Sequence, residues 1–430
     1  MKTELEIKKQ KTNEINKLRG VEDVFGDYAR KFIKVQKTIE NTVNLYGFQE
    51  IKVPVIESID VFVRSVGETS DIVKKEFYNF KDKGDREIAL RPEITAGIAR
   101  AAVENKLLEK EPLPLRVASF GPVFRYERPQ SGRLRQFNQY DIEMLGTDSM
   151  YDDVECISLA CKIFENIGIK NFKVYINNLG NFETRAKWIE ELKVYLRPYY
   201  DQLSPISQER LEKNPLRILD DKVDGELPFV KNAPKISKYL NDKEKQEQKV
   251  IEDSLKKLNI NYELDENLVR GLDYYTNLVF EFKVDDLPSI GGGGRYAKLL
   301  GEFGSKDYSS IGFAVSIERL LVICEKLNIN LLEDYSLDAV VASFDEENNN
   351  LIPQILQTLR ENNLSVIGKF DSNKAAKIFN YAEKMNAKFV VLIGKKELQE
   401  NSVIVKNLST TQQEVVKLTD VASYLTKSKN

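Results

Sequence analysis

Apolar side chains recur at helical spacing over residues 28–46, where Phe32, Ile33, Val35, Ile39, Val43 and Tyr46 line one side of a polar stretch. This is the mark of an amphipathic helix with one packed face. Gly47 ends the stripe, and FQEIKVPVIES predicts a strand stopped near Pro54, since proline cannot donate to a ladder. Residues 88–90 predict a strand turning at Pro92 into an alanine-rich helix, with Glu93 and Thr95 where that helix begins. An acidic residue there has at least a capping use. Over 120–146, FGPVFRYERPQSGRLRQFNQYDIEMLG, two apolar-rich arms (120–126 and 137–145) flank a loop with Arg128, Gly132, Arg133 and Arg135. The segment predicts an antiparallel hairpin with a basic turn.

Residues 151–167 read as a helix and 172–176 as a strand, after which 180–260 change to long amphipathic helical patterns rich in Lys and Glu. Strand patterns resume in VRGLDYYTNLVFEF (269–282), so the helical stretch is expected to be an insertion. YSSIGFAVSIERLL predicts a strand, then a helix with Arg319 in its first turns. From 337 the pattern becomes β/α alternation: strands LDAVVASF, LSVIG and KFVVLIG, helices at 350–360 and 373–385, then a hairpin and a short helix. That alternation implies a small α/β domain. The expected organisation is an α+β core from 1–179 and 261–327, a helical insertion at 180–260, a linker at 328–336 and an α/β domain at 337–430.

Composition changes this picture in one respect. The 430 residues include 64 basic and 67 acidic side chains but no histidine. Ser-His-Asp catalysis and histidine metal ligation are excluded, and the side chain that ordinarily titrates near neutrality is missing. Any chemistry must rest on positioning and fixed charge. The near balance of charge leaves room for RNA binding through local basic patches. Cys156, Cys161 and Cys324 form no CxxC pair, so neither a disulfide framework nor a zinc site is expected. No apolar run is long enough to span a bilayer, and the start, MKTELEIKKQKTNEINKLRG, is too charged for a secretory signal. A cytoplasmic protein without membrane contact is expected.

The candidate chemistry sits on the hairpin and the later strands. Arg125 lies on the first arm, while Gln139, Asp141 and Glu143 share one face of the second, because side chains alternate along a strand. Guanidiniums opposite a carboxylate-bearing strand can hold a polyanion at one end and a cationic or polar group at the other. SIGGGGRYAKLL places four glycines before Arg295, which suits close approach of backbone to a ligand. It is not a P-loop, since no GK[ST] follows.

Taken together, YGFQEIKVPVIES, the Arg125 hairpin and IGFAVSIERL with Arg319 resemble motifs 1, 2 and 3 of the class II aminoacyl-tRNA synthetases. VRGLDYYTNLVFEF and GGGGRYAKLL resemble the two segments that mark the histidyl-tRNA synthetase family within that class, and RPEITAG and NPLRILD extend the likeness from about residue 18 into the C-terminal domain. The resemblance implies an antiparallel-sheet catalytic core with a helical insertion and a C-terminal α/β anticodon-binding domain. It implies a ligase that activates histidine with ATP to histidyl-adenylate and pyrophosphate, then transfers histidine to the 3′ end of tRNA(His). Arg125 and Arg270 would be catalytic at the α-phosphate, with Arg133 and Arg319 at the γ-phosphate and Glu127 near the adenine. Glu143 and Tyr274 would pair with the imidazole, Glu93, Thr95 and Gln139 would receive the α-ammonium, and Arg270 the carboxylate. Tyr275 and Asp273 would support that wall. Arg128 and Gln130 would meet the tRNA acceptor end, the insertion the acceptor stem and the last domain the anticodon. Magnesium would come with ATP, zinc is not implied, and a homodimer with the motif 1 helix and strand at its interface is expected.

The sequence departs from the family at Tyr126 and Asn138, where relatives often carry histidine, at Ala297, where aspartate is common, and at Ile94, where glycine is usual. Ile94 is expected to crowd the amino-acid pocket. The rival is the regulatory subunit of ATP phosphoribosyltransferase, a paralogue that usually lacks the anticodon domain.

Overall fold

The computed structural model describes residues 15–66, 76–285, 287–332, 336–371 and 373–427. Most of the charged N-terminal stretch, residues 67–75 and positions 333–335 of the expected linker lie outside the described residues. The chain forms two compact units that divide between Leu331 and Leu332.

The first unit is built on an eight-stranded sheet. Its strands run, edge to edge, Gln49–Glu50, Leu115–Phe124, Gln136–Leu145, Ser310–Ser316, Gly291–Tyr296, Tyr275–Lys283, Lys173–Asn178 and Tyr262–Leu264. Every neighbouring pair is antiparallel except the two outermost, which are parallel. The helices Gly26–Leu45, Met150–Ile167 and Ile317–Lys326 share a core with this sheet through residues such as Val35, Ile39, Cys156, Phe164, Phe280 and Ile317. Gly26–Leu45 buries Phe32, Val35, Ile39, Thr42 and Val43, but Ile33 of the expected stripe is exposed. Gly47 follows with φ +75°, a left-handed conformation that suits glycine after a helix.

The segment FQEIKVPVIES is not one strand. Gln49–Glu50 joins the large sheet, whereas Ile56–Ser58 pairs with Glu87–Leu90 in a separate three-stranded sheet completed by Tyr78–Lys81. Pro54, without an N–H, sits at the changeover. From 182 to 257 the chain forms a series of helices joined by short irregular stretches, the longest being Phe182–Leu196 and Asp242–Lys257. Asn181 caps the first by accepting from Thr184 N, and Asn241 with Glu244 forms a capping box on the second. Ile251 and Leu255 of the second helix join the sheet core, so this helix packs with the sheet's own helices.

The second unit carries a five-stranded sheet ordered Val366–Lys369, Leu337–Ser343, Ala387–Ile393, Ser402–Asn407 and Gln413–Lys417. The first three are parallel and the last two antiparallel. All of Leu337–Ser343 is buried, which explains the apolar run from Ala339 to Ala342. A 3-10 turn, Glu346–Leu351, precedes the α-helix Ile352–Glu361, where a single helix from 350 was expected. Pro353 fits the first turn of that α-helix because its missing N–H would find no partner there anyway. Among the described residues no helix is long and apolar enough to cross a membrane.

One buried ion pair ties the sheet to its helical layer. Arg295 donates through Nε and Nη2 to Asp153 at 3.0 and 2.5 Å, and through its Nη groups to the Thr147 and Ser149 carbonyls and Ser309 Oγ. Burial pushes the Asp153 carboxyl up to about 6 although the Arg295 charge opposes the rise. Arg295→Met strands that carboxylate. It is expected to cost about 3–5 kcal/mol, read as a lower thermal midpoint for the first unit.

Candidate active site

The site is a cavity over the middle of the large sheet. Gln139, Asp141 and Glu143 line it from one strand, as alternation requires, opposite Ser316, Ala314 and Gly312 of the next. Gly312 is a steric requirement. A β-carbon there would run into the Glu143 carboxylate and come within 2.6 Å of the Ile142 carbonyl. Two residues apart on the next strand, Gly292 and Gly294 leave room for Arg270 and Tyr275, since added β-carbons would meet them at 2.8 and 2.9 Å. Tyr296 continues the same alternation and also lines the cavity.

One end of the cavity is anionic. Glu143, 2% exposed, accepts from Thr95 Oγ1 at 2.7 Å and from Tyr296 OH at 2.7 Å. Glu93, also 2% exposed, accepts from Ala96 N at 2.8 Å, so it caps the Thr95–Glu104 helix while lining the cavity. The rings of Tyr274 lie 4.7 Å from Tyr275 and 5.5 Å from Tyr296. Burial pushes Glu143 up to about 8, with the Glu93 charge adding to the rise and the Thr95 and Tyr296 hydrogen bonds opposing it. Glu93 and Asp141 are raised as well, chiefly by burial.

The other end is cationic. Arg125 is fixed by Nε donating to Pro92 O at 2.8 Å and by the Phe137 ring, 5.4 Å from its guanidinium. Arg319 Nη1 donates to Ser289 O at 3.1 Å, and Arg133 pairs with Glu127 at 3.3 Å. Burial first, then the charges of Arg125 and Arg133, lower the affinity of Arg319 for its proton. Between the two ends Arg270 pairs with Glu281 at 3.0 Å, and its buried Nε has no partner. Such an arrangement takes a zwitterion or cation at one end and a polyphosphate at the other.

The cavity brings together Arg125, Glu127, Arg133, Arg319, Arg270, Glu93, Thr95, Gln139, Glu143, Tyr274 and Tyr275. Arg128 and Gln130 are exposed on the hairpin loop and do not line it. Asp273 does not line it either. It accepts from Asn214 Nδ2 at 2.9 Å and lies 3.6 Å from Arg217, tying the NPLRILD segment to the loop that carries Arg270. Ile94 does not crowd the pocket, for it is fully buried in the apolar cluster with Ile98 and Trp188. Sequence reasoning gave no role to Tyr296, Glu281 or Ser289, and placed Asp141 on the carboxylate face without a ligand group of its own. Tyr296 was within reach of the pattern, since 292, 294 and 296 share one strand face.

An antiparallel sheet bearing an arginine hairpin, a strand-to-helix arginine and a carboxylate-lined pocket defines a class II aminoacyl-tRNA synthetase core. The histidyl-tRNA synthetase family model matches residues 20–320 and an anticodon-binding-domain model matches 338–428. A histidine–tRNA ligase of Ureaplasma urealyticum is 43% identical, the match covering 94% of this chain and 98% of that one. One of Staphylococcus saprophyticus is 37% identical, over 96% and 100%. The apo histidyl-tRNA synthetase of S. aureus superposes with a TM-score of 0.82 at 31% identity, covering 96% of this chain and 100% of that one. The chain belongs to the histidyl-tRNA synthetase family, whose members use ATP to charge tRNA(His) with histidine.

The raised Glu143 has a pH signature. The folded protein holds a proton on this carboxyl where the unfolded chain has lost it, so folding becomes less favourable as pH rises between about 4.5 and about 8. The thermal midpoint of the ligand-free protein is therefore expected to fall across that window. Glu143→Gln should flatten the fall, as a midpoint series against pH will read directly.

Proposed function

We propose that histidine occupies the anionic end and ATP the cationic end of this one cavity. The observation that carries the reading is the pairing itself: guanidiniums of Arg125, Arg133 and Arg319 at one end, and at the other buried acceptors including Gln139 Oε1, which has no partner. Glu143 and Tyr274 hold the imidazole nitrogens. Glu93, Thr95 and Gln139 take the α-ammonium, and Tyr275 closes the wall. Selectivity follows because an amino acid without the ring nitrogens would leave buried polar groups unpaired.

In the first step a carboxylate oxygen of histidine attacks the α-phosphorus in line. The new P–O bond forms as the bond to the β-phosphate bridge breaks, and pyrophosphate leaves. Arg125 and Arg270 lie where negative charge builds on the α-phosphoryl oxygens, Arg133 and Arg319 hold the γ-phosphate, and Glu127 lies toward the adenine. In the second step a ribose hydroxyl at the 3′ end of tRNA(His) takes the histidyl group and AMP leaves. Magnesium would come with ATP at this end, where Glu127 and Glu281, which line the cavity, would offer it the one or two carboxylates such an ion takes beside phosphate oxygens and water. Zinc has no part in the reading. Arg128 and Gln130, on the exposed loop, would meet the acceptor end, the helical insertion the acceptor stem, and the second unit the anticodon. The protein would work in the cytoplasm, away from membranes.

Histidine-dependent ATP–pyrophosphate exchange tests the reading, with exchange expected for histidine and none for the other amino acids. Arg270→Ala is expected to lower that exchange roughly 10²–10³-fold with the fold retained. Near-normal exchange would remove Arg270 from the mechanism. A homodimer is also proposed, through the Gly26–Leu45 helix, beside and on which Phe25, Ile33 and Leu45 expose apolar side chains. Light scattering at micromolar concentration should give twice the 49.4 kDa chain mass.

A further inference from the structure

Among the three carboxylates of the anionic end, Asp141 is the one left without a firm donor. It is 1% exposed and lines the cavity, yet its Oδ2 has no hydrogen-bond partner. Its Oδ1 faces Thr95 Oγ1 at 3.3 Å, but that hydroxyl has a single proton and lies 2.7 Å from Glu143 Oε1, which takes it. Glu143 is served on its second oxygen by Tyr296, and Glu93 by the Ala96 N–H. The nearby buried cation, Arg91, spends Nε and Nη1 on the carbonyls of Pro122 and Val53. Across the ladders Asp141 faces Ser119 and Ala314, and the Ser119 hydroxyl makes no hydrogen bond.

A carboxylate buried in this state is unfavourable unless something arrives to donate to it. Two residues along the strand in either direction stand Gln139 and Glu143, so Asp141 lies between the residues assigned above to the ammonium and to the imidazole. Its other neighbour in the cavity is Thr95, on the ammonium side. We propose that Asp141 is a further substrate-contacting residue, which accepts from the α-ammonium of the amino acid on the sheet side while Glu93 accepts on the helix side. The assignment rests on the reading of the cavity as a histidine site. A primary ammonium carries three N–H donors; Glu93 and Gln139 take two of them, and the third falls between the Thr95 hydroxyl oxygen and Asp141, of which the carboxylate is the stronger acceptor.

The test compares three probes on the full chain by calorimetry: L-histidine, L-histidinol, which keeps the amine, and imidazole-4-propionate, which lacks it. Asp141→Asn is expected to weaken histidine and histidinol roughly ten- to a hundred-fold and to leave imidazole-4-propionate unchanged. The thermal midpoint of the ligand-free variant should hold, because burial and the neighbouring Glu143 and Glu93 already favour the neutral form of the Asp141 carboxyl, which the amide matches in shape. Equal weakening of all three probes, or a lowered midpoint with unchanged histidine binding, would make Asp141 a packing residue and overturn the proposal while leaving the histidine site intact. If the unaltered protein binds imidazole-4-propionate as tightly as histidine, no ammonium subsite exists, and the cavity reading fails with the proposal.

Discussion

Burying the Glu143 carboxyl in the centre of an eight-stranded sheet is the constraint to which the rest of the site answers. A carboxylate placed there needs donors, and Thr95 from a helix start and Tyr296 from a strand two places away provide them. It also needs space, which only a glycine at 312 leaves. Three separate stretches of chain are thereby tied to one side chain. Displacing it would loosen the helix start that presents Glu93 and Thr95 as well as the strand that presents Tyr296.

The cationic end is held on a different footing. Two of its guanidiniums are anchored by carbonyls and a ring rather than by ionic partners: Pro92 O and Phe137 for Arg125, Gly132 O and Ser289 O for Arg319. Carbonyl anchors fix direction without neutralising charge, so the field stays available to a polyanion. Arg270 bridges the two ends, paired with Glu281, whose other oxygen is taken by Lys283. Structure leads to function here through fixed charge. With no histidine in the chain, acid–base relay is replaced by placement.

The same economy shows at positions 126 and 138. Tyr126 lies under the Arg135 guanidinium at 4.0 Å, and Asn138 meets Glu318 through its backbone N at 2.9 Å and Nδ2 at 2.8 Å. Each keeps a stacking or hydrogen-bonding contact that needs no titrating ring.

The order of elements, the hairpin with its basic turn, the shared face of Gln139, Asp141 and Glu143, and the β/α alternation after 337 were all legible in the sequence, because periodicity and turn residues are local. So was the family, through motifs spaced along the chain. What local pattern could not decide was pairing. Whether FQEIKVPVIES made one strand or joined two sheets depended on distant partners. Ile94, next to two site residues, turned out of the pocket because an apolar cluster around Trp188 was there to receive it. Asp273, in the same segment as Arg270, was drawn away by Asn214, 59 residues earlier in the chain. The unpartnered state of Asp141 exists only once Thr95, Tyr296 and Arg91 have been assigned to other atoms. Competition for hydrogen bonds and for space is settled among residues far apart in the chain, and only the tertiary structure decides it.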